Sequence, residues 1–399
     1  MTTLFLSYWN TFFRFVSRLG ADQPRVVSTA HISCYHAGVR TVVPPQVFSL
    51  VLLVACTGVP VQQNEPLRET SAPPVVKILH TSSSFASSAP RTWTLVAIGD
   101  VMLSRTLPRA AARSGDPLFP FASLGPVLRS ADLAFANLEN PVVVGPPAPL
   151  DGLVFRMDPS YVPRLTQAGI DVVSLANNHL TDAGLAGVAE TRQHLTAAGV
   201  AVAGAGETVA QARLPALMRA GDVTVAVLAY ADPRFANQVR FATEDQPGVA
   251  LAEAEAMAAD VAAARQLADV IIVSLHAGAE EVAVPDARHQ ALLEAVAAAK
   301  PDLVLGHHPH VLQPFTYMNG VPVFASLGNA VFDQIGTDVN RSAAVRIRFQ
   351  GTKIMQIDVL PFRIEGGAPV LDGSLQAYAR QRFGLAQTGA ILLEGSPEH

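Results

Sequence analysis

Two apolar patterns alternate along the chain from Thr92 onward. The first is the unbroken run: TLVAI at 94–98, DLAFA at 132–136, DVVSL at 171–175, VTVAVLA at 223–229, DVIIVSL at 269–275, DLVL at 302–305 and VPVFAS at 321–326. Runs of this length without polar alternation predict strands buried on both faces. The second is a longer Ala- and Leu-rich stretch. Asp158-Pro159 opens one and Gly169 closes it, with Pro just inside the start and Gly just past the end. Others cover about 182–198 (closed by Gly199), 251–267 and 286–299 (before Pro301). The alternation predicts an α/β fold with a largely parallel central sheet. Runs at 344–350 and 353–363 flank Gly351-Thr352 and predict an antiparallel hairpin. Residues 366–399 are weakly patterned and are set apart as a C-terminal extension, with a short helix over 375–383. There is no internal repeat.

Residues before Thr92 follow neither pattern. Val47–Ala55 reads VFSLVLLVA. It is too short to span a bilayer, which needs about 20 residues, and it suits a signal-peptide core. Leu53-Val54-Ala55-Cys56 resembles a bacterial lipobox, so 1–56 is expected to be a lipoprotein-type leader region with Cys56 lipidated. Residues 57–91, rich in Ser and Pro, read as a disordered linker. The first 38 residues are expected to lie upstream of the true start, with Val39-Arg40 as start and positive flank. Peptide mapping that found them in the product would refute this. The expected location is extracytoplasmic, on a bacterial membrane. Stable anchoring there needs more than one acyl chain.

Composition then narrows the chemistry. Lys and Arg number 28 against 33 Asp and Glu, a net charge of −5, so no basic footprint for nucleic acid exists. Half the residues are hydrophobic and 15% charged, which excludes a disordered chain. The only cysteines, Cys34 and Cys56, precede the patterned region, excluding a disulfide framework or a Cys-based zinc site within it.

Five predicted strands run straight into metal-capable side chains. They lead to Asp100, to Asn137-Leu138-Glu139, to Asn177-Asn178-His179, to His276 with Glu280 four residues on, and to Gly306-His307-His308-Pro309-His310. Ligand crevices of open α/β sheets lie outside the carboxyl ends of strands. Oxygen and imidazole donors without thiolate suit Mn, Fe or Zn. Two ions bridged by a carboxylate would clamp a phosphoryl group and activate water. Plainer readings exist. Asp100 or Asn137 can serve a turn, Glu139 can be a solvated acid, and Asn178 can be a left-handed turn residue. His308 and His310 face one way if their segment is extended, and His307 then faces the other. His194 and His289 fall within helices and read as surface residues.

Together these motifs resemble the CapA family of bacterial capsule and poly-γ-glutamate biosynthesis proteins, within the calcineurin-like metallophosphatase superfamily. The matching stretches, in family order, are Gly99-Asp100-Val101-Met102-Leu103, Ala136-Asn137-Leu138-Glu139, and Ser174-Leu175-Ala176-Asn177-Asn178-His179 with Asp182 and Gly184. They continue with His276-Ala277-Gly278-Ala279-Glu280, Gly306-His307-His308-Pro309-His310, and Ser326-Leu327-Gly328-Asn329. The resemblance implies a four-layer αββα sandwich of metallo-dependent phosphatase type over residues 92–365. It implies Asp100, Glu139, Asn178, His276, His308 and His310 as ligands of one or two divalent ions. It implies His179 as the general acid beside a metal-bound hydroxide. Asn137, Asn177, Asp182, Glu280, His307 and Asn329 would support the ligands or touch substrate. Met102 stands where the superfamily usually has a histidine ligand. Ala277 and Ala330 replace frequent aromatics and are expected to widen the pocket wall. The expected role is a hydrolytic metal site acting on an anionic envelope polymer or phosphorylated precursor. The alternative is a non-catalytic, lipid-anchored accessory protein that binds the polymer during synthesis or export.

Overall fold

The computed structural model describes residues 91–150, 152–386 and 391–392. The expectations for the leader, Cys56 and the linker lie outside these residues. The order begins β1 (Thr92–Val101), α1 (Leu107–Ser114), α2 (Gly125–Arg129), β2 (Leu133–Leu138), α3 (Val162–Ala168), β3 (Val172–Ser174), α4 (Ala186–Ala197) and β4 (Ala201–Ala203). Next come β5 (Ala205–Gly206), β6 (Ala216–Ala220), β7 (Val223–Ala231), β8 (Gly248–Val249), α5 (Ala254–Ala264), β9 (Val270–His276), α6 (Ala287–Ala298), β10 (Leu303–His307), β11 (Leu312–Met318) and β12 (Val321–Leu327). The chain continues through β13 (Asn329–Val331), β14 (Arg341–Gln350), β15 (Lys353–Glu365), β16 (Ala368–Leu371), α7 (Gln376–Arg382) and β17 (Ile391–Leu392).

The periodicity suggested one central sheet; the chain builds two. The first runs β16-β15-β14-β1-β2-β3-β4, with β13 on β1 and β17 on β15. The second runs β11-β12-β10-β9-β7-β6. Each has a parallel centre, β13-β1-β2-β3-β4 in one and β12-β10-β9-β7 in the other. Antiparallel strands flank both centres. Strand β7 explains why the sequence could not separate the cases. Val225, Val227 and Ala229 enter the core shared with the first sheet. Ala226, Leu228 and Tyr230 enter a second core, with Met257 and Val261 of α5 and Leu293 and Val296 of α6. Either arrangement buries both faces, so the apolar run is the same. Helices α2, α3 and α4 bury Leu128, Leu165 and Leu195 in the first core. The layers are helix, sheet, sheet, helix: the αββα sandwich that the resemblance implied.

Gly169 closes α3 in the left-handed region, at φ 94°. The helix expected from 182 starts at Ala186, because Gly184 sits at φ 80°, which no helix can run through. Asp286 caps α6, accepting from the N–H groups of Arg288 and His289. Past Glu365 the core continues. β16 pairs with β15, and Ala379 and Phe383 are fully buried. Among the described residues, no helix is long and apolar enough to cross a membrane.

Candidate metal centre

Parallel strands deliver their carboxyl ends to one edge, and that edge gathers the polar residues. Two close approaches fix it. A Cβ on Gly99 would lie 1.8 Å from the Gly328 carbonyl oxygen, and one on Gly306 would lie 1.9 Å from that of Ala325. Both positions therefore require glycine. The first seats Asp100 beside Asn329 in register; the second seats the His307–His310 turn against β12.

Asp100, Asn137, Glu139, His276 and His307 are fully buried, and Asn178, His308 and His310 nearly so. The Asn137 amide is the hub. It donates to Asp100 Oδ1 at 2.9 Å, reaches Glu139 Oε2 at 3.4 Å and lies 3.3 Å from His276 Nδ1. His276 Nε2 meets Asn178 Oδ1 at 2.9 Å. His307 Nδ1 and His310 Nδ1 lie 3.2 and 3.3 Å from the Asp100 carboxylate. His310 Nδ1 also meets Asn329 Oδ1 at 2.8 Å. Asn177 donates to the Leu138 carbonyl at 2.8 Å and accepts from the His179 N–H, which shapes the Asn-Asn-His turn.

His308 and His310 converge differently from the extended segment expected. Both have positive φ, 94° and 58°, in a bend. Non-glycine residues adopt such angles at a cost, and adjacent instances mark a geometry the surroundings enforce. His308 lies with His276 at 4.9 Å between ring centroids and with His310 at 5.7 Å.

The donor chemistry fits a cation. Glu139 Oε1 and His308 Nδ1 are buried without a hydrogen-bond partner among the described residues, an arrangement that buried polar groups otherwise avoid. Glu139, His276 and His308 offer ligand atoms within 4.8 Å of one another, as do Asp100, Glu139 and His310. Glu139 is common to both sets, so it can bridge. Burial, then the Asp100 charge, pushes the Glu139 carboxyl well above the usual range. Burial also acts to raise Asp100, but the imidazoles of His307 and His310 outweigh it and hold that carboxyl well below. Burial, then neighbouring imidazoles, keeps His276 and His308 neutral to low pH, the form that ligates. For His310, hydrogen bonding to Asp100 overcomes burial and raises it. Met102 takes no part: it is fully buried, and its sulfur accepts from the Ser104 N–H at 3.0 Å.

His179 stands at the rim with a side chain 13% exposed. Its Nδ1 lies 2.9 Å from Asp182 Oδ2. Its ring stacks on Phe155, with centroids 3.9 Å apart. Phe155, Arg105 and Phe235 were not singled out by the sequence. Arg105 pairs with Asp333 and lies 4.7 Å over the Phe155 ring. Phe235 packs on His308 at 4.5 Å. Arg105 and Phe155 arrive from loops and Phe235 from a short 3-10 helix (Pro233–Asn237), none within a motif, so no local signal marks them. Ala330 and Ala277 are fully buried, in the first and second cores respectively. His289, read as a surface residue, is fully buried, and neither ring nitrogen has a hydrogen-bond partner among the described residues. It is the third residue of α6 and shares its inward face with Leu293 and Val296, four and seven residues on, so the helical spacing itself turns it toward the core.

Residues 94–334 match the family described as bacterial capsule synthesis protein PGA_cap. The chain belongs to this family. PGA_cap-type relatives include the capsule biosynthesis protein CapA of Bacillus anthracis, 32% identical over 69% of this chain and 68% of that protein. The PGA biosynthesis protein CapA of Bacillus subtilis is 29% identical over 68% of this chain and 72% of that one. A probable polyglutamine synthesis accessory protein of Mycobacterium tuberculosis is 29% identical over 59% of this chain and 67% of its own. Among solved structures, the calcineurin-like phosphoesterase YfkN from Bacillus subtilis aligns with a TM-score of 0.44 and 14% identity, covering 73% of this chain and 96% of that one.

Proposed function

We propose that this PGA_cap protein is a metal-dependent hydrolase of an anionic cell-envelope polymer, or of its phosphorylated precursor, in capsule or poly-γ-glutamate synthesis. The observation that carries the reading is the buried, unpartnered Glu139 Oε1 among converging imidazoles and carboxylates. Asp100, Glu139, Asn178, His276, His308 and His310 would hold one or two divalent ions, of Mn, Fe or Zn type. When bound, such ions supply Lewis-acid polarisation and lower the pKa of water. His179 then donates a proton from Nε2 to the leaving oxygen. Asp182 takes the Nδ1–H and fixes the ring, and Phe155 keeps it at the mouth. Cys56 would carry the lipid that tethers the chain outside the membrane, and Cys56→Ser should release it from the membrane fraction.

The test is metal content by mass spectrometry on the chain from Thr92, beside an Asp100→Ala/His310→Ala variant. Hydrolysis of a generic phosphodiester and of poly-γ-glutamate is assayed on both. Bound metal and turnover, both lost in the variant, support the reading. The name of the mycobacterial relative favours a second role, an accessory that binds polymer without cleaving it. Metal without turnover would select it.

A further inference from the structure

The loop between β9 and α6 is laid against the His307–His310 turn by two hydrogen bonds and against β11 by a third. The Ala277 N–H donates to the His307 carbonyl at 3.1 Å, and the Glu281 N–H to that of Pro309 at 2.9 Å. The buried Gln313 amide donates to the Val282 carbonyl at 2.7 Å. Two residues of the loop take positive φ, Gly278 at 110° and Glu281 at 59°. Between them stands Glu280. It is exposed, yet its carboxylate lies within 4.8 Å of ligand atoms of both His308 and His310, which belong to the two overlapping ligand sets. Glu139 is shared by those sets from the buried side. His308 Nδ1, almost wholly buried, has no hydrogen-bond partner among the described residues.

We propose that Glu280 is a carboxylate ligand of the metal centre, closing it from the solvent side opposite Glu139. This rests on the metal reading above. Ligands of one ion with bonds of about 2.0–2.2 Å lie at most about 4.4 Å apart, so a small rotation of an exposed side chain completes the set. Met102 cannot, because its sulfur is turned to its own backbone. Glu280 supplies a ligand from a different strand end, and its exposure makes it the donor an incoming anion can displace. Removing it should weaken the metal without disturbing the fold.

The experiment is titration calorimetry of Mn²⁺ on the metal-stripped protein, comparing wild type, Glu280→Gln and Glu281→Gln. Thermal unfolding of each stripped protein checks folding. Wild type should bind. Glu280→Gln should bind about 10–100-fold more weakly, the scale on which groups supporting a metal act. Glu281→Gln, an equal charge change one residue along, should match wild type. Equal binding by Glu280→Gln and wild type would overturn the assignment. So would equal weakening in both variants, which would mean loop charge rather than ligation. No binding by wild type would remove the metal reading itself.

Discussion

His179 separates catalysis from metal holding at the scale of one residue. It contributes to neither ligand set, and its ring is fixed by Asp182 and Phe155 instead. His179→Gln should therefore leave metal content unchanged and lower hydrolysis by about 10²–10⁴-fold, the range for losing a positioned proton donor. Asp182→Asn should retain more activity, because the ring stays stacked. Loss of metal in His179→Gln would move this residue into the ligand shell and end the proton-donor role. The six proposed ligands were legible because each lies within five residues of the end of an apolar run. The shape of the His308–His310 bend was not, since two positive φ values depend on the glycines and neighbours that enforce them. Phe155 was equally hidden: it shares no motif with the histidine it stacks on.

At the scale of elements, α6 does more than cover the second sheet. It turns His289 under Gly278, where a Cβ would lie 2.7 Å from the imidazole Nδ1. The ring thus supports the loop that carries Glu280. Burial lowers His289 to about 4, while the unfolded value is about 6.5. Between those values the unfolded chain binds the extra proton, so the native state loses stability as pH falls through the window. The loss reaches about 3 kcal/mol. His289→Leu lacks this dependence, so its Tm relative to wild type should rise as pH falls from 7 to 4. A Tm difference that stays flat would mean the ring is hydrated or paired in solution. Strand existence was readable at this scale wherever both faces are apolar. Strands β6 and β11 escaped notice because each is an edge strand with polar, partly exposed positions, Arg219 in one and Tyr317 in the other. Such edges lack the apolar run that marks the centre.

For the whole molecule, the proposed centre joins the two sheets. Asp100, Glu139 and Asn178 come from strand ends of the first; His276, His308 and His310 come from strand ends of the second. The division into two sheets was invisible in the periodicity, yet it decides what a bound ion would do. Residues 210 positions apart in sequence, Asp100 and His310, would share one ligand set. The unfolded chain cannot form that set, so binding stabilises the native state alone. At an ion concentration of 100 times Kd the gain is about 2.7 kcal/mol, or roughly 4 °C in Tm for a domain of this size. The sign of its pH dependence follows from Glu139. A carboxyl held above its unfolded value favours the native state while protonated, and that advantage is lost as pH rises through the raised value. An ion must displace the proton, so it binds better where the carboxyl is already ionised. The Tm gain from Mn²⁺ should accordingly grow as pH rises above the ordinary carboxylate range, and chelation should reverse it throughout. Glu139→Gln should abolish the gain and make the stripped protein increasingly more stable than wild type as pH rises, because Gln cannot take up the buried charge that Asp100 repels. If Mn²⁺ raised Tm equally in that variant, the shared carboxylate would not be what ties the two sheets together.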